Sequence, residues 1–199
     1  MFHLAQGLYT NWNKKEEYSV LILGLDNAGK TTFLEKVKSI YNPDAKIIPP
    51  ERITTTVGQN VGHILVKKTY LKFWDVGGQE SLRSLWEEYF SSCHAIIFIV
   101  DSTDKTRIEE CKNSLVKIVN DDSIEGIPIL MLANKQDCED HLEVEDIKEI
   151  FNVIAEHLSA RDSRVLPISA IKGDGVEQSV EWLLTRLIRN KQNRPPRFK

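Results

Sequence analysis

One stretch, Tyr18-Ser19-Val20-Leu21-Ile22-Leu23 followed by Gly24-Leu25-Asp26-Asn27-Ala28-Gly29-Lys30-Thr31, constrains the fold more than any other part of the chain. The apolar run reads as a buried strand. It passes without a spacer into a loop that fits G-x-x-x-x-G-K-[ST]. Helical spacing then runs from Lys30 to about Ile40. A strand–loop–helix unit of this kind belongs in a mostly parallel sheet covered by helices, with the ligand at the carboxyl ends of the strands. The glycines let backbone N–H groups turn inward around phosphates, and the helix start adds its positive dipole end. Gly24, Asp26, Asn27, Ala28, Gly29, Lys30, Thr31 and Thr32 are therefore expected at a nucleotide's phosphates. Lys30 is expected to reach the β- and γ-phosphates, and the Thr31 hydroxyl to bind Mg²⁺. The loop alone does not choose between ATP and GTP.

The remaining chain fits the same α/β class. Asn60–Lys67 and Tyr70–Asp75 read as an antiparallel hairpin turning at Lys67-Lys68-Thr69. His94–Asp101, Pro128–Asn134 and Arg164–Ser169 read as further strands, with helical stretches near 80–91, 104–120, 143–158 and 176–190. Residues 41–55, with three prolines, read as an irregular loop. The chain's 199 residues suffice for one domain with a sizeable core. Its net charge of −3 provides no basic field for nucleic acid. Cys93, Cys111 and Cys138 are odd in number and lack metal-ligand spacing, which points to a reduced, cytosol-facing chain. Residues 1–12 are too polar and short for a signal peptide, and no apolar run nears the ~18 residues of a membrane span.

Three further segments complete the chemistry. Asn134-Lys135-Gln136-Asp137 ends an apolar strand at the ligand edge. The Asp137 carboxylate can accept from the N1 and exocyclic amine donors of guanine, a pair that adenine lacks. Asn134 is expected to tie this loop to the glycine loop, and the Lys135 stem to lie along the base. Ser169 and Ala170, after the last strand, can offer a backbone N–H to the guanine carbonyl. Asp75-Val76-Gly77-Gly78-Gln79 supplies an acid for Mg²⁺ through water, a glycine whose N–H can approach the γ-phosphate, and Gln79 to orient an attacking water. A second hydroxyl for Mg²⁺ is expected in Thr54-Thr55-Thr56, and the spacing does not say which.

With these motifs the chain resembles the ADP-ribosylation-factor and Arf-like small GTPases over nearly its whole length. The resemblance is carried by Gly24–Thr31, Trp74-Asp75-Val76-Gly77-Gly78-Gln79, Leu85-Trp86 with Tyr89-Phe90, Asn134–Asp137, and Gly173-Asp174-Gly175 followed by Glu181-Trp182-Leu183. It selects Thr56, in Thr56-Val57-Gly58, as the switch threonine. It implies a P-loop G domain with a six-stranded mixed sheet flanked by helices, GTP/GDP and Mg²⁺ as ligands, and a hairpin that slides in register on GTP binding to release an N-terminal helix. Exchange factors and GTPase-activating proteins follow as partners. Three departures stand out: Phe2 replaces the glycine needed for N-myristoylation, Gln59 replaces an aromatic residue of the effector patch that includes Trp74 and Tyr89, and the loop before Thr56 is longer. The Met1-Phe2 start, the Thr-Thr-Val-Gly-Gln-Asn run and the Arg194-Pro195-Pro196-Arg197 end most resemble the Arf-related branch of yeasts and animals. That branch implies cycling from cytosol to the trans-Golgi membrane, an acetylated initiator Met, an integral Golgi membrane receptor, and recruitment of a downstream Arf-like GTPase with its golgin pathway in vesicle transport.

The organisation expected is an amphipathic N-terminal helix and linker at 1–16, a G domain at 17–190 and a basic tail at 191–199, acting as a monomer. Met1, Phe2, Leu4, Leu8 and Trp12 contribute to one apolar face. That face serves either as an interfacial anchor exposed by GTP or as a helix packed permanently on the domain. The tail either meets an anionic membrane surface or is simply solvated, and Pro195-Pro196 implies that it extends away. Lys30 and Mg²⁺ would neutralise phosphate charge while Gln79 orients water, with Trp74, Trp86 and Tyr89 as the apolar effector contact. The position two before the switch threonine is Thr54 rather than arginine, so slow intrinsic hydrolysis and an activating protein are expected. The alternative is a nucleotide-dependent scaffold with negligible hydrolysis. An ATPase or small-molecule kinase requires the Asn134–Asp137 loop to be accidental.

Overall fold

The computed structural model describes residues 15–154 and 162–199, so the expected helix at 1–12 lies outside the described residues. The strands are β1 (Glu16–Leu23), β2 (Gln59–Val66), β3 (Thr69–Val76), β4 (Ala95–Asp101), β5 (Ile129–Asn134), β6 (Ser163–Pro167) and β7 (Arg197–Phe198). Along the sheet they run β2-β3-β1-β4-β5-β6. Strands β3, β1, β4, β5 and β6 are parallel, and β2 joins β3 antiparallel. The glycine loop follows β1, where the strand order reverses between β3 and β4. That is the crevice in which open α/β sheets bind ligands.

Both faces of the sheet are covered at its centre, which explains why β4, β5 and the second half of β1 are apolar at nearly every position. Tyr18, Val20 and Ile22 of β1 face one core, packed under helices α1 (Lys30–Tyr41) and α5 (Val176–Arg189). Leu21 and Leu23 face the other core, under α2 (Glu87–Phe90), α3 (Ile108–Val119) and α4 (Val144–Phe151). All five of those β1 side chains are fully buried. Each contributes about 1.5–3 kcal/mol by leaving water, which makes β1 a rigid mount for the loop that follows it.

Four details differ from the sequence expectation. The hairpin turn is only Lys67-Lys68, with Thr69 already in β3, and Lys67 takes a left-handed φ of 56°. A two-residue connection needs such a conformation to match the strand twist. The helix expected over 80–91 is a 3₁₀ segment, Glu80–Trp86, followed by the single α-turn of α2. Within it only Trp86 is fully buried, and Phe90 of the following turn is buried with it. The helix expected over 143–158 is α-helical only to Phe151, then 3₁₀ to Ile154, with 155–161 outside the described residues. The tail does not extend away: β7 adds a short seventh strand, antiparallel to the start of β1. Lys15 and Lys199 exchange backbone hydrogen bonds of 3.0 and 2.9 Å there. The ring of buried His94 holds the tail by bonding the Pro195 carbonyl through Nε2 at 3.1 Å, while Nδ1 accepts from the Ser19 N–H at 2.9 Å.

Candidate nucleotide site

The glycine loop wraps a cavity of about 370 Å³ lined by its own residues, by Thr54–Thr56 and by Gly78. Gly29 ends the loop in a left-handed conformation, φ 94°, and opens α1. A Cβ at this position would stand 2.3 Å from Asn134 Nδ2, so only glycine allows the Asn134 loop to press on the phosphate loop. Gly78 approaches from the other side. A Cβ there would lie 2.3 Å from the Gly24 carbonyl and 2.5 Å from the Asp26 N–H, so glycine brings this backbone against the cradle.

Lys30 is 6% exposed and donates from Nζ to the Gly24 and Leu25 carbonyls at 3.0 and 2.7 Å. The ammonium thus bonds the loop's own carbonyls rather than pointing outward. Burial lowers its pKa to about 8, against the opposing pull of Asp75 and Asp26. An arriving polyphosphate would strengthen its charged form.

Thr31 and Asp75 converge with Thr56, the threonine that the resemblance selected. The Thr31 hydroxyl donates to Asp75 Oδ2 at 2.7 Å and lies 2.8 Å from the Thr56 hydroxyl. The structure therefore brings Thr56 to this cluster, from a residue 25 positions away. Burial raises the Asp75 pKa, opposed by the Thr31 bond and by Lys30. Its second oxygen, Oδ1, is buried without a partner among the described residues. An orphaned carboxylate oxygen beside two hydroxyls forms an all-oxygen donor set with few protein ligands. That suits Mg²⁺, which keeps several waters and phosphate oxygens. The set fits.

Asn134 performs the tie expected of it. It is buried, donates from Nδ2 to the Ala28 carbonyl at 2.8 Å, and accepts from the Ala170 N–H at 3.0 Å. Three loops meet on this one side chain. Asp137 is half-buried, and its carboxylate has no partner among the described residues, leaving it available to a base. Lys135 Nζ pairs with Asp101 Oδ2 at 2.5 Å, so its head is anchored at the end of β4. The Ser169 N–H donates to the Asp174 carbonyl at 3.0 Å and the Ala170 N–H to Asn134, so both shape the loop and neither is left for a guanine oxygen.

Gln79 follows Gly78 but does not line the cavity, and its backbone carbonyl accepts from Leu82 at 2.9 Å. Trp86 is not a contact surface. It is 3% exposed and donates from Nε1 to the Gly77 carbonyl at 2.9 Å, bracing the glycine turn from inside. Trp74 and Tyr89 remain half-exposed, with ring centres 5.4 Å apart. Gln59 joins them through a polar bond, its Oε1 accepting from the Tyr89 hydroxyl at 2.5 Å. Met1, Phe2, Leu4, Leu8 and Trp12 lie outside the described residues.

Sequence reasoning missed Asp101, Arg107 and Arg83. Asp101 sits at the ligand edge of β4, a position that marks it in retrospect. Arg83 donates from Nε to the Gly78 carbonyl at 2.9 Å and pairs with Glu110 at 2.6 Å, linking the glycine turn to α3. No motif announces that pairing across 27 residues.

The comparisons with known proteins agree with this geometry. Residues 5–187 match the ADP-ribosylation factor family. The chain is 65% identical to ADP-ribosylation factor-like protein 3 of Saccharomyces cerevisiae over 200 aligned residues, spanning both chains completely. It is 48% identical to ADP-ribosylation factor-related protein 1 of Bos taurus over 197 residues, covering 99% of this chain and 98% of that one. Among solved structures it resembles the Arl6 BBS3 small GTPase of Trypanosoma brucei with bound nucleotide analogue GppNp, with a TM-score of 0.77 and 29% identity over 87% of this chain and 98% of that one. The glycine cradle, the Asn134 tie and these likenesses together place the chain in the ADP-ribosylation factor family, as an Arf-like small GTPase of its Arf-related branch.

Proposed function

We propose that this GTPase is a Mg²⁺-dependent switch with slow intrinsic hydrolysis, whose GTP form associates with trans-Golgi membranes and recruits effectors for vesicle transport. The observation that carries the switch reading is the contact of Thr31, Thr56 and Asp75. It joins the loop before β2 to the phosphate cradle through groups that a nucleotide's phosphates and metal would engage. Thr31, Thr56 and Asp75 would hold Mg²⁺, which when bound supplies positive charge to the phosphate oxygens. Lys30 turns its ammonium from the loop carbonyls to the β- and γ-phosphates. The Gly78 N–H approaches the γ-phosphate, and Gln79 orients the water for in-line attack.

Slow turnover follows from the absence of an arginine at position 54, so an activating protein would supply that charge in trans, adding about 10³–10⁵ in rate. The base is read by Asp137, supported by Asn134. Golgi membranes, an integral membrane receptor and a downstream Arf-like GTPase with golgins are carried over from the Arf-related branch. The domain reading remains an N-terminal anchoring segment, a G domain and a basic tail. The solvent-facing Trp74, Tyr89 and Gln59 offer a mixed aromatic and polar surface to effectors.

Binding of fluorescent GTP and GDP with and without Mg²⁺ tests the site, and flotation with Golgi-derived membranes in each nucleotide state tests the output. GTP-selective binding with flotation only in the GTP form supports the whole reading. Nucleotide binding without state-dependent flotation sinks the membrane half. Turnover at second-scale rates by the protein alone, or equal turnover by wild type and Gln79→Leu, sinks the hydrolysis half.

A further inference from the structure

Asp26 is the one acidic residue among those lining the phosphate cavity. A carboxylate beside an anion cradle repels the ligand unless something neutralises it. Arg107 provides the opposing charge. It precedes α3, far from the glycine loop in sequence, yet its Nη1 donates to Asp26 Oδ1 at 2.9 Å and its Nη2 to the Asp26 carbonyl at 3.3 Å. The fork thus grips both the side chain and the backbone of a loop residue. Arg107 is itself held: Nε donates to Asp104 Oδ2 at 2.7 Å, and its backbone N–H donates to Asp104 Oδ1 at 3.2 Å. It approaches the loop from behind, beside Leu25 and Cys111. The same connecting segment begins with Asp101, which anchors Lys135. One short stretch between β4 and α3 therefore braces both the phosphate loop and the base-reading loop.

We propose that Arg107 is a positioning residue for the phosphate site, neutralising the Asp26 carboxylate and fixing the Asp26 backbone so that the cradle presents N–H groups to a polyphosphate. The proposal rests on the nucleotide-binding reading above. It has a second consequence. The Asp26 N–H is the surface against which Gly78 packs, so a displaced Asp26 also displaces the glycine expected to sense the γ-phosphate.

The test is the dissociation rate of fluorescent GDP and of a non-hydrolysable GTP analogue from the full-length protein in Mg²⁺. Arg107→Gln keeps the stem and removes the charge. Because the pair is partly exposed, release should accelerate by about five- to tenfold, and by less at high salt. Asp26→Asn added to Arg107→Gln should return the rate to within about twofold of wild type, since the charge that needed neutralising is gone. Arg107→Lys, which keeps the charge without the fork, should fall between, and with its own Asp26→Asn partner it replaces the glutamine variant if that one does not fold. An unchanged rate in Arg107→Gln overturns the proposal. So does a double variant as fast as the single, because a purely structural loss through Asp104 is not rescued at Asp26. Failure of wild type to bind GDP overturns the nucleotide reading itself, which is a distinct result.

Discussion

Replacing Asn134 by alanine should separate three loops that now share one side chain. Asn134 is 2% exposed, and its two bonds are of good length, 2.8 Å to the Ala28 carbonyl and 3.0 Å from the Ala170 N–H. Truncation leaves a buried acceptor on the phosphate loop and a buried donor on the loop after β6. Each unsatisfied group costs about 1–3 kcal/mol, so together they approach about 2–6 kcal/mol if the site stays closed. Loop relaxation and water entry reduce that to roughly 2–4 kcal/mol, because Gly29 leaves only small residues beside the gap. All three loops belong to the candidate nucleotide site, so most of the loss should appear as affinity. Expected is an increase in the dissociation constant for GDP of about 30- to 1,000-fold. Competition of fluorescent GDP against unlabelled GDP measures it, and denaturant unfolding of the GDP-saturated protein measures the share that falls on stability. A dissociation constant within threefold of wild type, with unchanged stability, would refute the claim that Asn134 joins the phosphate and base loops.

Other outcomes follow from the same geometry. Asp75→Asn removes the charge of the carboxylate whose Oδ1 has no partner, so the ratio of GTP affinity with Mg²⁺ to that with chelator should collapse towards one; a preserved ratio would place the metal elsewhere. Gly78→Ala forces a methyl to within 2.3 Å of the Gly24 carbonyl, a backbone atom that cannot rotate away, and should cost about 1–3 kcal/mol in thermal or denaturant stability. His94→Ala removes the acceptor for the Ser19 N–H and the bond to Pro195, a loss of about 2–3 kcal/mol at pH 8. Burial first, then Arg197 and Arg194, hold the His94 pKa below its ordinary 6.5, so the unfolded chain binds the proton more readily. The stability His94 brings is thus full above pH 6.5 and shrinks as pH falls through the folded-state value. The difference between wild type and His94→Ala in urea unfolding should narrow from pH 8 to pH 5, and a constant difference would refute the neutral ring tautomer.

The phosphate loop was legible because its chemistry is local. Every group from Gly24 to Thr32 lies within nine consecutive residues, and the preceding apolar strand and following helix supply the context that gives the motif meaning. Asn134 was legible for a related reason, since it ends an apolar strand that must stop at one edge of a parallel sheet, and Asp75 stands one residue before the end of β3. The 3₁₀ segment from Glu80 to Trp86 was not legible. Its apolar positions suit a helical repeat, and only the fixed place of Trp86 beneath Gly77 selects the tighter winding. The same burial removed Trp86 from the effector surface. A tryptophan's indole N–H bonded to a core carbonyl and one facing solvent read identically in the sequence.

What the sequence alone determined is the set of parts: a phosphate loop between strand and helix, an Asn-Lys-x-Asp loop expected to read guanine, hydroxyls and an acid expected at a hard cation, and the α/β alternation that delivers them to one edge. Tertiary structure decided the contacts made between parts. It selected the carbonyls that Lys30 bonds, took the Ser169 and Ala170 N–H groups for loop closure, folded the tail back onto β1 through His94, and brought Arg107 across 81 residues to Asp26. The physical reason is range. Strand burial and glycine-loop chemistry are set by neighbours along the chain, whereas a charge or a hydrogen-bond donor takes its role from whichever group the packed sheet places within about 3 Å of it.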